Sequence, residues 1–388
     1  MTGARFTPAA RVRALPANFW AAMDREIARL SAMPGPRMID VSKGNPDLPT
    51  PAHIVAAMQR AVADPAHHRY PSYDGSRAVR DAVAHRYRVD HGVEIDPDTE
   101  VLLFHGSHEG LMAAVLSLAD PGATVVLPDP GYPMYASAAE LAQARVVSVP
   151  LSRPGFQPDF SALDEVDRAS VVLLNYPNNP TGALAGDDTF ASAVAFAERT
   201  GAGFVHDFAY ASLGFDVPPA SALAVDTSRT VEVQTLSKTY SMAGWRFGYA
   251  AGNASMIDAM RRYQVHAFST VFGATQEAAA AALAGDQTAA ADLVEVYRRR
   301  RDLVVTGLQR IGWDVTAPAG TFFVWAPVPG GGDAVAFADA LRAEARVAVA
   351  PGDGFGTRGR GRIRIGLVHD EASLVELIER LDAFTRRN

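Results

Sequence analysis

From about Glu100 to Gly252, short runs of β-branched and aliphatic residues alternate with longer stretches whose apolar positions recur at helical spacing. Val101–Phe104, Thr124–Leu127, Arg145–Val149, Val171–Asn175, Phe204–Asp207, Val231–Thr235 and Phe247–Ala250 read as strands. Ala-rich amphipathic stretches such as Glu109–Leu118 and Phe190–Glu198 lie between several of them. Strands alternating with helices predict an α/β fold with a mostly parallel central sheet, covered on both faces. The pattern then changes. Leu293–Arg310 reads as a long helix, Phe322–Trp325 as a strand, Val335–Arg342 as a helix, Ile363–Leu367 as a strand and Ala372–Phe384 as a closing helix. This second region predicts a smaller α+β domain. Before the sheet, Phe19–Leu30 is helical in pattern, and the Pro-rich Asn45–Pro51 reads as an extended crossing between domains.

Composition narrows the function classes. A chain of 388 residues suggests two domains or more, and 48% hydrophobic with 20% charged residues is a globular balance. With 36 basic and 43 acidic residues the net charge is −7, so no global basic field would attract nucleic acid. Cysteine is absent, which excludes disulfides, Cys–zinc sites, iron–sulfur clusters and a thiol nucleophile. Met1–Trp20 carries Arg5, Arg11 and Arg13 but no apolar leader, and Ala278–Ala284 is too short to span a bilayer. The expectation is a cytoplasmic protein without a membrane partner.

Only two of the basic residues are lysines, Lys43 and Lys238. A composition so biased to Arg keeps Lys where Arg cannot substitute, and a Schiff base is one such role, because a buried amine deprotonates and a guanidinium does not. Lys238 follows the strand Val231–Thr235, at the end of a strand where open α/β sheets bind ligands. Asp207 ends another strand with Tyr210 at i+3; this pair could hold the ring nitrogen and ring oxygen of a pyridine cofactor, or Asp207 could be a helix N-cap. Asn178-Asn179-Pro180-Thr181-Gly182 forms a turn after a buried strand, from which an Asn amide could donate to a cofactor oxygen. Gly106-Ser107-His108-Glu109 joins strand to helix, the arrangement that binds phosphate, although Ser107 alone reads as an N-cap. Arg246 could pair with a phosphate through its planar fork.

Three segments in order, Asn175–Gly182, Asp207–Tyr210 and Ser237–Arg246, resemble the signature of class I/II aminotransferases, the fold-type I pyridoxal-phosphate enzymes. Gly44–Asp47, Tyr70–Gly75, Asp129–Pro133 and Arg362–Ile365 extend the resemblance over nearly the whole chain, with motifs most like the alanine, aspartate and diaminopimelate branch. It implies a large cofactor-binding domain over 48–289 and a small domain built from 1–47 and 290–388. It implies pyridoxal 5′-phosphate as cofactor, with Lys238 as the internal aldimine lysine and proton shuttle. Asp207 would pair with the pyridinium nitrogen, Asn179 and Tyr210 with the phenolic oxygen, and Tyr132 would stack on the ring. Ser107, His108, Thr235, Ser237 and Arg246 would hold the phosphate, joined by Tyr70 from the partner subunit of a homodimer. Arg364 would bind the substrate carboxylate, with the backbone at Gly44 closing over it. The implied reaction is ping-pong amino transfer from an L-amino acid to a 2-oxo acid. The chain departs from many relatives at Gly366, where they carry Ser.

Other readings of the same residues have weaker support. A lyase, decarboxylase, cyclase or oxidase could use the same Lys–Asp–Arg apparatus. A non-catalytic, cofactor-bearing regulator would need a DNA-binding module, and none is legible before Gly44. Gly354–Gly359 matches G-x-G-x-x-G but precedes a strand, so it is not a dinucleotide site. His67, His68, His105 and His108 lack the carboxylate spacing of a metal site. Tyr297–Arg301 is expected to be a solvated helix face.

Overall fold

The computed structural model describes residues 6–16 and 19–387; Arg5 lies outside them. A short strand, β1 (Ile39–Asp40), precedes the strands of the main sheet: β2 (Val101–Phe104), β3 (Thr124–Asp129), β4 (Arg145–Ser152), β5 (Gln157–Pro158), β6 (Val171–Asn175), β7 (Gly203–Asp207), β8 (Thr230–Thr235) and β9 (Gly248–Gly252). The C-terminal region adds β10 (Phe323–Pro327), β11 (Val347–Ala348), β12 (Ala350–Pro351) and β13 (Arg362–Gly366).

The main sheet runs β2-β9-β8-β7-β6-β3-β4-β5. Its β3–β4, β3–β6, β6–β7 and β7–β8 ladders are parallel, while β9 is antiparallel to both its neighbours and β5 antiparallel to β4. The sheet is therefore mixed but mostly parallel. Alternation along each strand assigns the two faces. Val125, Leu127, Leu173, Val205 and Val233 pack with the helices Ser107–Leu118 and Ala254–Ala267. Val126, Val172, Leu174 and Phe204 point the other way, against Thr189–Thr200. Because both faces are covered, these strands read as unbroken apolar runs, which made them visible in the sequence.

The expected helix Glu109–Leu118 begins two residues earlier, at Ser107. Its N-cap is Gly106 at φ +90°, not Ser107, and a side chain at Gly106 would run into the Arg246 guanidinium. The sequence pattern passed over the helices Arg77–His91 and Gly273–Ala284. Arg77–His91 shows a strong start and stop instead: Ser76 caps the Val79 amide, and Gly92 ends the helix at φ +67°. Gly273–Ala284 is buried on most sides, so it has no polar face to reveal its period.

In the C-terminal region β10, β13 and β12 form an antiparallel sheet, and β1 pairs with β11, so the chain's beginning is stitched to its end. The long helix Thr288–Arg310 packs on this unit. Here one expectation fails. The Tyr297–Arg301 cluster is not a solvated face: Tyr297, Arg300 and Arg301 are buried. Arg300 donates to both carboxylate oxygens of Asp47 at 2.7 and 2.8 Å and to the Leu367 carbonyl. The Pro-rich segment is thus anchored to the C-terminal unit at Asp47, while Thr50 donates to the Ser241 carbonyl beside Lys238.

Removing the Asp47 carboxylate strands a buried guanidinium. Asp47→Ala is expected to destabilise the apoprotein by about 2–4 kcal/mol, a value reduced for the partial exposure of Asp47, and Arg300→Met in that background recovers part of the loss. Urea midpoints of the wild type and both variants check this.

Candidate active site

The loops that leave the C-terminal ends of β2, β3, β6, β7 and β8 converge on a cavity of about 310 Å³. Its walls include Gly44, Ser107, His108, Tyr132, Asn179, Asp207, Tyr210, Thr235, Ser237, Lys238, Arg246 and Arg364. The fold gathers all the predicted site residues except Tyr70, which is 95% exposed and lies outside the lining.

Lys238 sits on the short helix Leu236–Thr239 that follows β8. Its Nζ donates to the Gly44 carbonyl at 2.7 Å. Burial, then the positive charges of Arg364 and Arg246, lower its pKa from 10.5 to about 8, against the opposing pull of Asp207. The Gly44 position needs glycine, because a Cβ there would meet the ring of Phe323 at 2.4 Å.

Asp207, at the end of β7, accepts from the Tyr135 hydroxyl at 2.5 Å and from the Ala209 amide at 3.1 Å. Burial still outweighs these bonds and pushes its pKa up. It does not cap a helix. Asn175 bonds the Asp207 carbonyl and the Asn179 amide, fixing the Asn178–Gly182 turn against β7. Tyr210 is buried against Phe322 and Phe323, and burial raises its pKa, so its hydroxyl remains a donor.

Arg364 is 2% exposed. Its Nη1 donates to Asn179 Oδ1 and its Nη2 to the Ser42 carbonyl, both at 2.7 Å. The guanidinium lies 3.9 Å from the Phe323 ring centroid, 4.7 Å from that of Phe355 and 5.0 Å from that of Trp20. Burial lowers its pKa to about 10, which leaves it charged at neutral pH. Its Nε is buried and has no hydrogen-bond partner among the described residues. Two residues on, Gly366 fits where Ser would not: a Cβ would meet the Lys43 carbonyl oxygen at 2.5 Å.

At the other side of the cavity, Thr235 Oγ1 and Ser237 Oγ lie 2.8 Å apart, and Arg246 occupies a left-handed position at φ +54°. Arg246 donates to the carbonyls of Ala243 and His105. The first amides of Ser107–Leu118, like those of any helix start, have no intrahelical acceptor. Gly248 lets this turn close in, since a Cβ there would lie 2.7 Å from the Ser107 nitrogen. Burial, and then the charge of Arg246, lower the His108 pKa. His105 bonds Glu109, and His68 bonds the Val62 carbonyl.

Pyridoxal 5′-phosphate matches this donor set. Helix-start amides, two hydroxyls and Arg246 form an anion cradle, the buried Asp207 carboxylate is bonded among the described residues to the neutral donors Tyr135 and Ala209, and Lys238 is a buried amine of depressed pKa. Sequence reasoning missed Tyr135, Ser42, Phe323, Phe355 and Trp20. Tyr135 carried a signal, lying one helical turn after Tyr132. Trp20 and Ser42 carried none, because only the tertiary fold brings them to the cavity.

Comparison with known proteins agrees. The family model for aminotransferase class I and II matches residues 36–381. The chain is 45% identical, over 97% of both chains, to an L-glutamine–4-(methylsulfanyl)-2-oxobutanoate aminotransferase of Bacillus subtilis (strain 168). It is also 45% identical, again over 97% of both, to an LL-diaminopimelate aminotransferase of Desulforudis audaxviator (strain MP104C). A substrate-bound BacF structure from Bacillus subtilis superposes with a TM-score of 0.93 at 36% identity, covering 98% of each chain. The chain belongs to the class I and II aminotransferases, fold-type I enzymes that move amino groups with pyridoxal 5′-phosphate.

Proposed function

We propose that Lys238, Asp207 and Arg364 are the working centre of a transaminase that exchanges the amino group of an L-amino acid for the oxo group of a 2-oxo acid, in two half-reactions. The observation that carries this reading is Lys238 itself, a buried amine near pKa 8 in one cavity with Asp207 and Arg364. The curated relatives named above are aminotransferases by name, which favours amino transfer over lyase, decarboxylase, cyclase or oxidase outcomes.

Bound pyridoxal phosphate supplies an aldehyde carbon and a ring that draws electron density from the substrate Cα. Asp207 would hold a proton on the ring nitrogen, with Tyr135 keeping the carboxylate oriented. Tyr210 and Asn179 would serve the phenolic oxygen, with Tyr132 beside the ring. Arg246, Thr235, Ser237 and the Ser107–His108 amides would hold the phosphate. Arg364 binds the substrate carboxylate through the face that includes its unpartnered Nε, while Asn179 and Ser42 fix its plane. Lys238, neutral in an appreciable fraction near pH 8, takes a proton from Cα and returns it as general acid.

The same proposal divides the chain into a large domain over 48–289 and a small one from 1–47 and 290–388, supported by the apolar core in which Ile39 and Val41 pack with Val304, Leu341, Ile365 and Phe384, and which Ala209, Tyr210, Leu213 and Phe215 join from the large domain. It also places the protein in the cytoplasm as a homodimer. Exposed aromatics support the dimer: Tyr70, Tyr73, Phe268 and Phe272 lie on two segments that meet where His67 packs against Gly273. The relatives are named for different substrates, so the accepted side chain is set by this chain's own walls.

Three outcomes are expected. Lys238→Ala lowers the single-turnover rate with its best amino donor by about 10²–10⁴, and an undiminished rate would sink the scheme. Covalent capture of the aldehyde cofactor by the apoprotein needs the neutral amine. Because the Lys238 pKa lies below its ordinary value, capture should accelerate about tenfold per pH unit below pH 8 and level off above it, as followed by absorbance. Tyr70→Ala should loosen cofactor retention while light scattering still reports twice the chain mass.

A further inference from the structure

His206 precedes Asp207 on β7, so the two side chains project to opposite faces of the sheet. Its partner across the parallel ladder is Glu232 on β8, and both side chains are 0% exposed. Burial this complete is achieved within one chain, so joining a second subunit leaves their contacts unchanged. The neighbours on this face, Val172, Leu174 and Phe204, are apolar. An apolar pair of similar volume would be buried there at no greater cost.

Hydrogen bonding specifies the state of the two groups. His206 Nδ1 lies 2.8 Å from Glu232 Oε1, and Nε2 lies 2.8 Å from the Tyr176 carbonyl oxygen. The Tyr176 amide also points at Nε2, but at 3.3 Å. The carbonyl is the nearer partner, and two acceptors at 2.8 Å call for a proton on each ring nitrogen. Glu232 is bonded throughout as a carboxylate. Its Oε1 also accepts from the Ala222 amide at 2.6 Å, and its Oε2 from the Tyr87 and Ser221 hydroxyls, both at 2.9 Å. The rings of Phe190 and Phe208 flank His206 with centroids 4.7 Å away, surroundings that favour a cation.

These bonds tie strand ends together. Tyr176 follows Asn175, which closes β6 and bonds both the Asp207 carbonyl and the Asn179 amide. Asn179 in turn accepts from Arg364. From the other side, β8 carries Glu232 and runs directly into Thr235 and the Lys238 helix. The titratable groups facing the pair are Asp207, Tyr87 and His91 from Arg77–His91, and Tyr249 from β9. Asp207 itself faces Tyr132, Tyr135, Tyr210 and Lys238, and Lys238 faces Arg364 and Arg246.

We propose that His206 and Glu232 form a buried imidazolium–carboxylate pair, and that both are positioning residues which hold Asp207 and the Asn175–Asn179 turn in place. The role rests on the transaminase reading of Asp207; the pair itself rests on geometry alone.

The test has an arm for each. In apoprotein carrying nitrogen-labelled histidine, proton spectra should show two downfield ring N–H signals that vanish in His206→Gln. Glu232→Gln keeps the side-chain shape and lets the Tyr87 and Ser221 hydroxyls turn, yet it should lose one of the two signals. A single ring N–H in the wild type rules out the pair. In holoenzyme, His206→Gln removes a positive charge and leaves Glu232 uncompensated. The pH at which the bound cofactor changes absorbance should therefore rise by about 0.5–1 unit. The maximal rate of its half-reaction with an amino donor should fall about fivefold or more while KM stays within about twofold. A folded His206→Gln that keeps the wild-type rate, or whose absorbance transition does not move, sinks the positioning role; a purely structural residue would shift only the urea midpoint. Should that variant not fold, Glu232→Gln carries the rate measurement with the same criterion. Wild-type holoenzyme that converts no amino donor would overturn the transaminase reading instead, while the apoprotein spectra still decide the pair.

Discussion

Lys238, Arg364 and Asp207 are charged groups taken out of water at the ends of strands, and such burial is unfavourable unless each is bonded or paired. Much of the surrounding architecture serves to make it tolerable. The Gly44 carbonyl takes a bond from the lysine, Asn179 and Ser42 take the two ends of the guanidinium, and Tyr135 with the Ala209 amide serve the carboxylate. The compensation is incomplete in one sense: Asp207 remains shifted up, Lys238 shifted down, and one Arg364 nitrogen has no partner among the described residues. In the reading proposed above, a protonated ring nitrogen, an aldehyde and a substrate carboxylate are the partners of these three groups.

That requirement explains the glycines near the site better than turn propensity does. Gly44, Gly106, Gly248 and Gly366 each stand where a Cβ would strike an aromatic ring, the Arg246 guanidinium or backbone. Groups separated widely in sequence can then approach within hydrogen-bond distance of one another.

The central sheet was legible because strands buried on both faces are written as apolar runs, and the charged and amide residues of the site because they punctuate the ends of those runs. Lys238, Asp207 and Asn179 all follow that rule. What the sequence hid was set by tertiary contact. Tyr297–Arg301 looked polar, yet Arg300 is buried because Asp47, 253 positions away, meets it. Gly273–Ala284 gave no period because it has hardly any exposed side. Trp20 sits on an early helix with nothing in its neighbours to mark it, and that part of the chain is brought toward the Arg364 strand by the stitching of β1 to β11, by Arg346 bonded to the Met33 and Pro34 carbonyls, and by Met23 packed with Trp325.

The Asp129 carboxylate has an inheritance of its own. It closes β3, directly ahead of the segment bearing Tyr132, and at the same time it grips the Thr357–Arg358 backbone that presents Phe355. A lineage that reshapes the Phe355 loop must keep that grip or disturb the segment bearing Tyr132.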